Sequence, residues 1–185
     1  MLLYPPVYPP QFVSRTRNRT RYRIGQDYKQ AVYWYEKAAA QGLENAQSAL
    51  GGLYGNGRGV VQDYKQAMYW YEKAAAQGGP EAQFALGVMY YGGGGVAKNY
   101  RQAAIWFQKA AEQGNTDAQF GLGHFYADGN GVAQDNVEAY KWFSLAGRSG
   151  DNNASRSREM VEQKMTREQI AEAQRRAAEW MKAHK

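Results

Sequence analysis

The sequence predicts an all-α protein in which helix pairs of about 36 residues repeat and stack into an α-α superhelix, or solenoid. A tryptophan recurs at this interval along the chain, as Trp34, Trp70, Trp106 and Trp142. An aspartate or asparagine precedes each tryptophan, and a glycine follows it, at constant distances. Residues 26–42 and 62–78 differ only in Val32 and Met68, which indicates that the units arose by duplication. A fixed period of this length is typical of helical repeat proteins.

The first helix of each unit is bounded by residues that favour helix ends. An N-cap residue is predicted at the start of each one, at Asp27, Asp63, Asn99 and Asp135. A glycine suits the left-handed position after each one, at Gly42, Gly78, Gly114 and Gly150. On a helical wheel, one side of the helix in the second unit collects Tyr64, Ala67, Trp70, Tyr71, Ala74 and Ala75. We therefore expect a buried face of aromatic and small residues, in which each tryptophan fills the gap between neighbouring units.

The second helix of each unit is followed by a glycine-rich loop. In the second unit this helix runs from about Pro80 to Tyr91, and proline suits the first helical turn. Its recurring residues gather on one side of the wheel, namely Ala82, Gln83, Leu86, Gly87 and Tyr90. The loops, such as Gly57-Arg58-Gly59-Val60, lack the lysine and the preceding strand of a phosphate-binding loop. We interpret them as tight turns in which glycine adopts a positive φ.

These motifs resemble those of a known repeat family. The pattern A-x-x-W-Y-x-K-A-A-x-Q-G, followed by A-Q-x-x-L-G-x-x-Y-x-x-G-x-G-V, is similar to the Sel-one-like repeat (SLR) family, which is related to tetratricopeptide repeats. The second unit shows it at residues 67–78 and 82–96, and the resemblance covers residues 26–150. The resemblance implies a superhelix with a concave face. It also implies a role as an adaptor or scaffold, often in bacterial signalling, envelope or host-interaction systems.

The chain divides into three predicted parts. Residues 1–25 match no part of the repeat and are expected to form a flexible segment rich in proline and arginine. The solenoid is predicted over residues 26–150, with repeats 26–61, 62–97, 98–133 and a partial repeat 134–150. Residues 151–185 are predicted to form a polar last helix and a C-terminal capping helix.

A C-terminal cap is predicted because the repeat pattern changes after residue 150. In the polar helix, Met160, Val161 and Met165 supply the remaining apolar contact. Thr166 and Gln169 then form a capping-box signature at the start of the final helix. That helix carries one apolar stripe, made of Ile170, Ala173, Ala177 and Trp180.

Composition excludes several classes of protein. The absence of cysteine excludes disulfides and thiolate zinc sites, and two histidines, His124 and His184, are too few for a histidine-rich metal site. We expect no metal and no cofactor. No segment has the roughly 20 apolar residues of a membrane-spanning helix. The chain as given has no secretory signal, so we expect a cytoplasmic protein, or a periplasmic or secreted one if the true N-terminus is missing.

Candidate binding residues are those that differ between the units, because recurring residues are explained by packing. On the second helices, the side opposite the recurring stripe carries Phe84, Val88 and Tyr91 in one unit and Phe120 and His124 in the next. By resemblance to tetratricopeptide repeats, this side lines the concave groove. Two interpretations stay open. The aromatic residues either anchor a protein or peptide partner or pack against the adjacent helix.

Nucleic-acid binding and catalysis are the two alternative classes of function. Five of the six net positive charges lie on arginines within residues 1–25, which could contact nucleic acid. The rest of the chain has a net charge of only +1 and no extended basic stripe, which argues against nucleic-acid binding. Some SLR relatives are linked to β-lactamase activity. Here no serine is followed by lysine three residues later, and no lysine-threonine-glycine motif is present, so we predict no catalytic residues and no small-molecule substrate.

Overall fold

The computed structural model describes residues 17–150 and 152–184. This part of the chain forms nine α-helices and one short 3-10 helix, Gly147–Ser149. The first helices of the units are α1 Arg17–Ala40, α3 Tyr64–Ala76, α5 Tyr100–Glu112 and α7 Asn136–Ala146. The second helices are α2 Glu44–Asn56, α4 Pro80–Gly92, α6 Thr116–Asp128 and α8 Asn152–Glu162. The C-terminal helix is α9 Arg167–Ala183. None of these helices is long and apolar enough to cross a membrane.

From α1 to α8 the helices stack in chain order, each packing against the next, and α9 packs against α7. Contacts are most extensive between a second helix and the first helix that follows it, as between α2 and α3. The predicted all-α stack of helix pairs is therefore confirmed. The pair with the larger interface joins two consecutive predicted units, so much of the packing lies between units, as expected of a solenoid.

The predicted N-caps are confirmed at three of the four first helices. The Asp63 carboxylate accepts hydrogen bonds from the backbone N–H groups of Lys65 and Gln66, at 2.9 and 3.1 Å. Asn99 and Asp135 cap α5 and α7 in the same way. The prediction is wrong at Asp27, because α1 begins at Arg17 and continues through this residue. The segment predicted to be flexible therefore overlaps α1, while its residues 1–16 lie outside the described part of the chain.

Three glycines of the second helices allow aromatic rings of the next helix to approach closely. A Cβ atom at Gly51 would lie 2.7 Å from the ring of Tyr71. The same relation holds for Gly87 with Phe107 and for Gly123 with Phe143. Real Cβ atoms do not approach a ring so closely, and any side chain at these sites would push the helices apart. The recurring leucine-glycine pair is thus explained by packing.

Each glycine-rich loop lies against the preceding first helix, within α1 for the first loop and at the starts of α3 and α5 for the next two. Gly59 has a φ of 77°, and a Cβ atom there would lie 2.5 Å from the backbone carbonyl group of Tyr28. The corresponding glycines after α4 and α6 also have positive φ and similarly close neighbours. The interpretation of these loops as tight turns is confirmed.

Buried glutamines connect the helices through hydrogen bonds. In α2, the Gln47 side chain is 4% exposed and its Nε2 donates to the Ala39 carbonyl oxygen at 3.3 Å. From the end of α3, Nε2 of Gln77 donates to Oε1 of Gln47 at 2.7 Å. Gln83 and Gln113 repeat this arrangement one unit later, at 2.8 Å. The buried amides of Gln47 and Gln83 are thus satisfied by hydrogen bonds, as burial of a polar group requires.

The C-terminal helix packs on α7, as predicted for a cap. The capping box is present, since Oγ1 of Thr166 accepts from the Gln169 N–H and Oε1 of Gln169 accepts from the Thr166 N–H. Arg176 binds Glu138 of α7 at 2.7 Å and so joins the two helices. Met160 is 58% exposed, so its predicted apolar contact is wrong.

The expected burial of the repeated aromatic residues holds only in part. Trp142 is 1% exposed, whereas Trp70 and Trp106 are half-buried. Trp34 is 65% exposed, so the prediction that every tryptophan fills a gap between units is wrong for the first one. Tyr64, the first residue of α3, is 45% exposed although the glycine-rich loop after α4 lies against it. Burial thus depends on the place in the stack as well as on the repeat position.

Candidate protein-binding groove

The five predicted binding residues lie on two consecutive second helices. Phe84, Val88 and Tyr91 belong to α4, and Phe120 and His124 belong to α6. Both helices have well-defined starts, because Pro80 begins α4 and the Asn115 side chain accepts a hydrogen bond from the Ala118 N–H in α6. Their spacing of three and four residues places the side chains of each helix on one side. We call these five residues the groove residues.

Phe84 and Phe120 are half-buried and contact the next first helix. The ring centroid of Phe84 lies 5.7 Å from that of Phe107, and Phe120 lies 5.8 Å from Phe143. Such distances are typical of packed aromatic pairs. Their partners are the rings that occupy the glycine sites of α4 and α6. These two groove residues therefore serve mainly the packing between helices and offer only part of their surface to a partner.

His124 stands beside Phe120 and Phe143. Its ring lies 4.7 Å from the first and 4.9 Å from the second, and it meets both edge to face. Among residues 17–150 and 152–184, no group of three histidine or acidic side chains could hold a metal ion. His124 thus forms part of an aromatic wall.

Val88 and Tyr91 are the exposed members of the set, at 44% and 49%. The Tyr91 ring contacts Tyr100 and Phe125, at centroid distances of 5.6 and 5.8 Å. Tyr100 is itself 42% exposed. These residues form an apolar surface at the junction of α4 and α5, which we call the tyrosine patch and define as Val88, Tyr91 and Tyr100.

The sequence predicts the tyrosine patch only in part, because Tyr100 recurs as Tyr28 and Tyr64 and recurring residues are explained by packing. The sequence signal for this patch lies on α4, at Tyr91. Position 91 is tyrosine in this unit, but Gly55 and Ala127 occupy it in the neighbouring units. The paired tyrosines therefore occur at one place along the stack, and the first unit presents only small residues on the corresponding side.

Three of the four second helices carry acidic residues and no basic ones. No lysine or arginine occurs in α2, α4 or α6, whereas these helices carry Glu44, Glu81, Asp117 and Asp128. Burial raises the pKa of Glu44, and the negative charge of Glu81 raises it further. Three of the four acids lie in a first helical turn, where the helix dipole favours a negative charge. The groove residues therefore have acidic neighbours on their own helices.

A second concave surface was not predicted from the sequence. A cavity of about 450 Å³ lies between α5, α6 and the loop after α6, and its lining includes Arg101, Ile105, Lys109, Tyr126 and Val132. Burial raises the pKa of Tyr126, and the nearby charges of Glu138, Asp135 and Glu112 add to the shift. Ile105 is 44% exposed there, whereas the two preceding units carry tyrosine at this position. This cavity is a competing place for a partner.

The comparison with protein families agrees with the repeat pattern. A sequence model described as the Sel1 repeat matches residues 21–43, 45–79, 80–115 and 116–151. The last three matches each begin near the start of a second helix and end after the next first helix. The family unit is thus the pair of helices with the largest interface. The match at 21–43 covers only the part that corresponds to a first helix.

Three bacterial proteins are among the solved structures with similar folds. A Sel1 repeat protein from Oxalobacter formigenes is 38% identical, with a TM-score of 0.63 over 68% of this chain and 50% of that one. The protein c5321, a protective antigen of uropathogenic Escherichia coli with an SLR fold, is 32% identical, with a TM-score of 0.58 over 86% and 44%. Helicobacter pylori cysteine rich protein B is 26% identical, with a TM-score of 0.57 over 71% and 95%.

The present chain spans half or less of the first two of these structures. No curated protein sequence matched it. The four matched repeats, the stacked helix pairs and the similar solved structures agree, and the chain therefore belongs to the Sel1 repeat family.

Proposed function

We propose that this protein is an interaction scaffold that holds a peptide or protein segment against the groove residues Phe84, Val88, Tyr91, Phe120 and His124. Proteins of the Sel1 repeat family generally act as scaffolds in protein interactions. The observation that carries the proposal is the exposure of Val88 and Tyr91, one turn apart on α4. We propose no catalytic role and no small-molecule substrate.

The tyrosine patch supplies the contact with the partner. Its tyrosines are held in place by ring contacts with each other and with the buried Phe125, so little side-chain freedom is lost on binding. A tyrosine also combines a large apolar surface with a hydroxyl group that can donate or accept a hydrogen bond. Such residues are frequent among the few that dominate binding energy at protein interfaces. An extended segment with an apolar side chain suits this surface.

The packing of the groove residues decides which variants test the proposal. Phe84 and Phe120 contact Phe107 and Phe143, so their replacement would disturb the stack as well as the surface. Val88→Glu combined with Tyr91→Ser changes the exposed surface with less damage. A matched control exists on the first helices, because Ile105 and Tyr69 are exposed to a similar degree, at 44% and 46%. The control pair is Ile105→Glu with Tyr69→Ser.

The test is affinity capture from a lysate of the source organism with the native chain and both double variants, followed by mass spectrometry. We expect a protein that the native chain and the control pair retain and that the groove pair loses. Circular dichroism must show equal helicity for all three chains. Loss of the captured protein with the control pair, and its retention by the groove pair, would contradict the proposal and place binding near the cavity at Ile105.

A further inference from the structure

One side of α1 lies open, although the same side of the other first helices is covered. It consists of Ala31, Trp34, Tyr35 and Ala38, which we call the α1 face. Trp34 is 65% exposed, and the other three are half-buried. The corresponding alanines of α3, Ala67 and Ala74, are 1% and 0% exposed. In α7 all four corresponding residues are at most 1% exposed, namely Ala139, Trp142, Phe143 and Ala146.

The helix that covers this side of α3 is α2. The Tyr71 ring lies so close to Gly51 that a Cβ atom there would be 2.7 Å from it. A Cβ atom at Gly55 would lie 3.5 Å from that of Ala67. Trp70 packs against the buried cluster that contains Leu50. The surface that fits the face of α3 is therefore a helix with leucine, glycine and a second small residue on one side.

The α1 face has the same shape-determining residues as this side of α3. Residues 26–42 and 62–78 are identical apart from Val32 and Met68. Neither of these two residues belongs to the α1 face or to its counterpart on α3. Two surfaces with the same side chains on the same type of helix are complementary to the same partner helix. The interface between α2 and α3 therefore defines what fits against α1.

A hydrogen-bond position gives independent support. Gln77, just after α3, donates to Gln47 of α2 at 2.7 Å, and Gln113 donates to Gln83 at 2.8 Å. The counterpart of these donors after α1 is Gln41, and all three of these side chains are exposed. Among the described residues, no second helix presents a glutamine to it. A partner with the sequence Ala-Gln, as in the second helices, would supply the acceptor.

We propose that the α1 face binds a helix of the α2 type, supplied by a further Sel1 repeat. Its leucine lies against Trp34, its glycine accepts the Tyr35 ring, and its glutamine accepts a hydrogen bond from Gln41. The helices α2, α4 and α6 of a second folded copy do not provide this surface, because their required sides are covered by α3, α5 and α7. The partial family match at residues 21–43, which lacks this half of the unit, agrees with the proposal.

The experiment adds the proposed helix to the full chain. Residues 42–61 are inserted a second time between Gly25 and Gln26, within α1, so that the part of α1 from Gln26 onward follows the added helix as α3 follows α2. The natural chain has no cysteine, and a single thiol therefore reports on the interface. Ala31→Cys places it on the α1 face, and Ala67→Cys is the matched reporter that α2 already covers. The control insertion carries leucine at the inserted copy of Gly51.

Without the insertion, the Ala31→Cys thiol should react with a thiol reagent at least about tenfold faster than the Ala67→Cys thiol, because reaction of a covered thiol requires local opening. The insertion should slow the Ala31→Cys reaction to the rate of Ala67→Cys. The insertion with leucine should leave it fast. Circular dichroism and an unchanged Ala67→Cys rate confirm that each variant is folded.

Three results would overturn the proposal. In the first, the Ala31→Cys thiol reacts as fast with the insertion as without it. In the second, the leucine insertion protects the thiol as well as the glycine insertion, which would mean that shape is not recognised. In the third, the chain without an insertion becomes protected as its concentration rises, which would assign the α1 face to a second copy.

Discussion

The two ends of the stack place the same repeated tryptophan in opposite surroundings. Trp142 near the C-terminal end is 1% exposed, because α6 lies on one side and α9 folds over α7 with Trp180 at a ring distance of 6.3 Å. Trp34 near the other end is 65% exposed. Both occupy the same position of the unit. The neighbouring unit or cap, and not the repeat position alone, therefore decides how much a repeated residue stabilises the fold.

The largest loss of stability is expected at the C-terminal end, where Trp142 is covered. Trp142→Ala removes a fully buried indole ring and leaves a cavity between α6, α7 and α9. We expect the free energy of unfolding to fall by about 3–5 kcal/mol. Urea denaturation followed by circular dichroism measures it. A loss below about 1 kcal/mol would mean that α9 does not cover Trp142 in solution, and the contrast between the two ends would then disappear.

The next largest loss of stability is expected at the interface between α4 and α5. Gly87→Ala places a Cβ atom 2.5 Å from the Phe107 ring, and we expect a loss of about 1–3 kcal/mol from overpacking. Gly92→Ala is the matched control on the same helix, because its Cβ would meet no atom within 4 Å. There alanine should be neutral or stabilising by about 0.5–1 kcal/mol. Equal thermal shifts for the two variants would contradict the packing of Phe107 on Gly87.

Most of the fold could be predicted from the sequence, because each sequence signal for helix ends and helix packing occurs in several units. The tryptophan period, the caps at Asp63 and Asp135 and the capping box at Thr166 each specify local structure directly. The start of α1 could not be predicted in this way. Asp27 has the sequence context of Asp63, but the residues before it continue the helix instead of forming a glycine-rich turn. An N-cap residue begins a helix only where the chain before it is not itself helical.

The candidate site was less predictable, because exposure depends on contacts between units. A helical wheel places Phe84, Val88 and Tyr91 on one side. It does not show that the Phe84 ring turns to Phe107 while Val88 stays exposed. Tyr100 recurs at the same position of other units, so comparison between units explains it by packing and does not identify it as a binding residue. Comparison between units identifies differences, but only the packed structure shows which recurring residues remain on the surface.

A smaller effect should come from the capping box that starts α9. Thr166→Ala removes the hydroxyl that accepts the Gln169 N–H at 3.3 Å, and we expect a loss of about 1 kcal/mol. Because α9 covers Trp142, the loosened cap should also increase quenching of tryptophan fluorescence by acrylamide. Thr166→Ser keeps the hydroxyl and is the control. A Thr166→Ala variant as stable as Thr166→Ser would show that α9 is held by its contacts with α7 alone, such as the Arg176–Glu138 ion pair.

The smallest effect is expected at the open end, and it tests the comparison most directly. Trp34→Ala removes the same side chain as Trp142→Ala, but from a helix face where most of the indole already contacts solvent. We expect a change within about 0.5 kcal/mol in the free energy of unfolding. Trp70→Ala, in nearly the same local sequence but against α2, should cost more, since its ring packs on the cluster around Leu50. A cost at Trp34 equal to that at Trp70 would mean that another helix already covers the α1 face. With residues 42–61 inserted before Gln26, by contrast, the cost at Trp34 should rise to that at Trp70, because the two rings would then have the same neighbours.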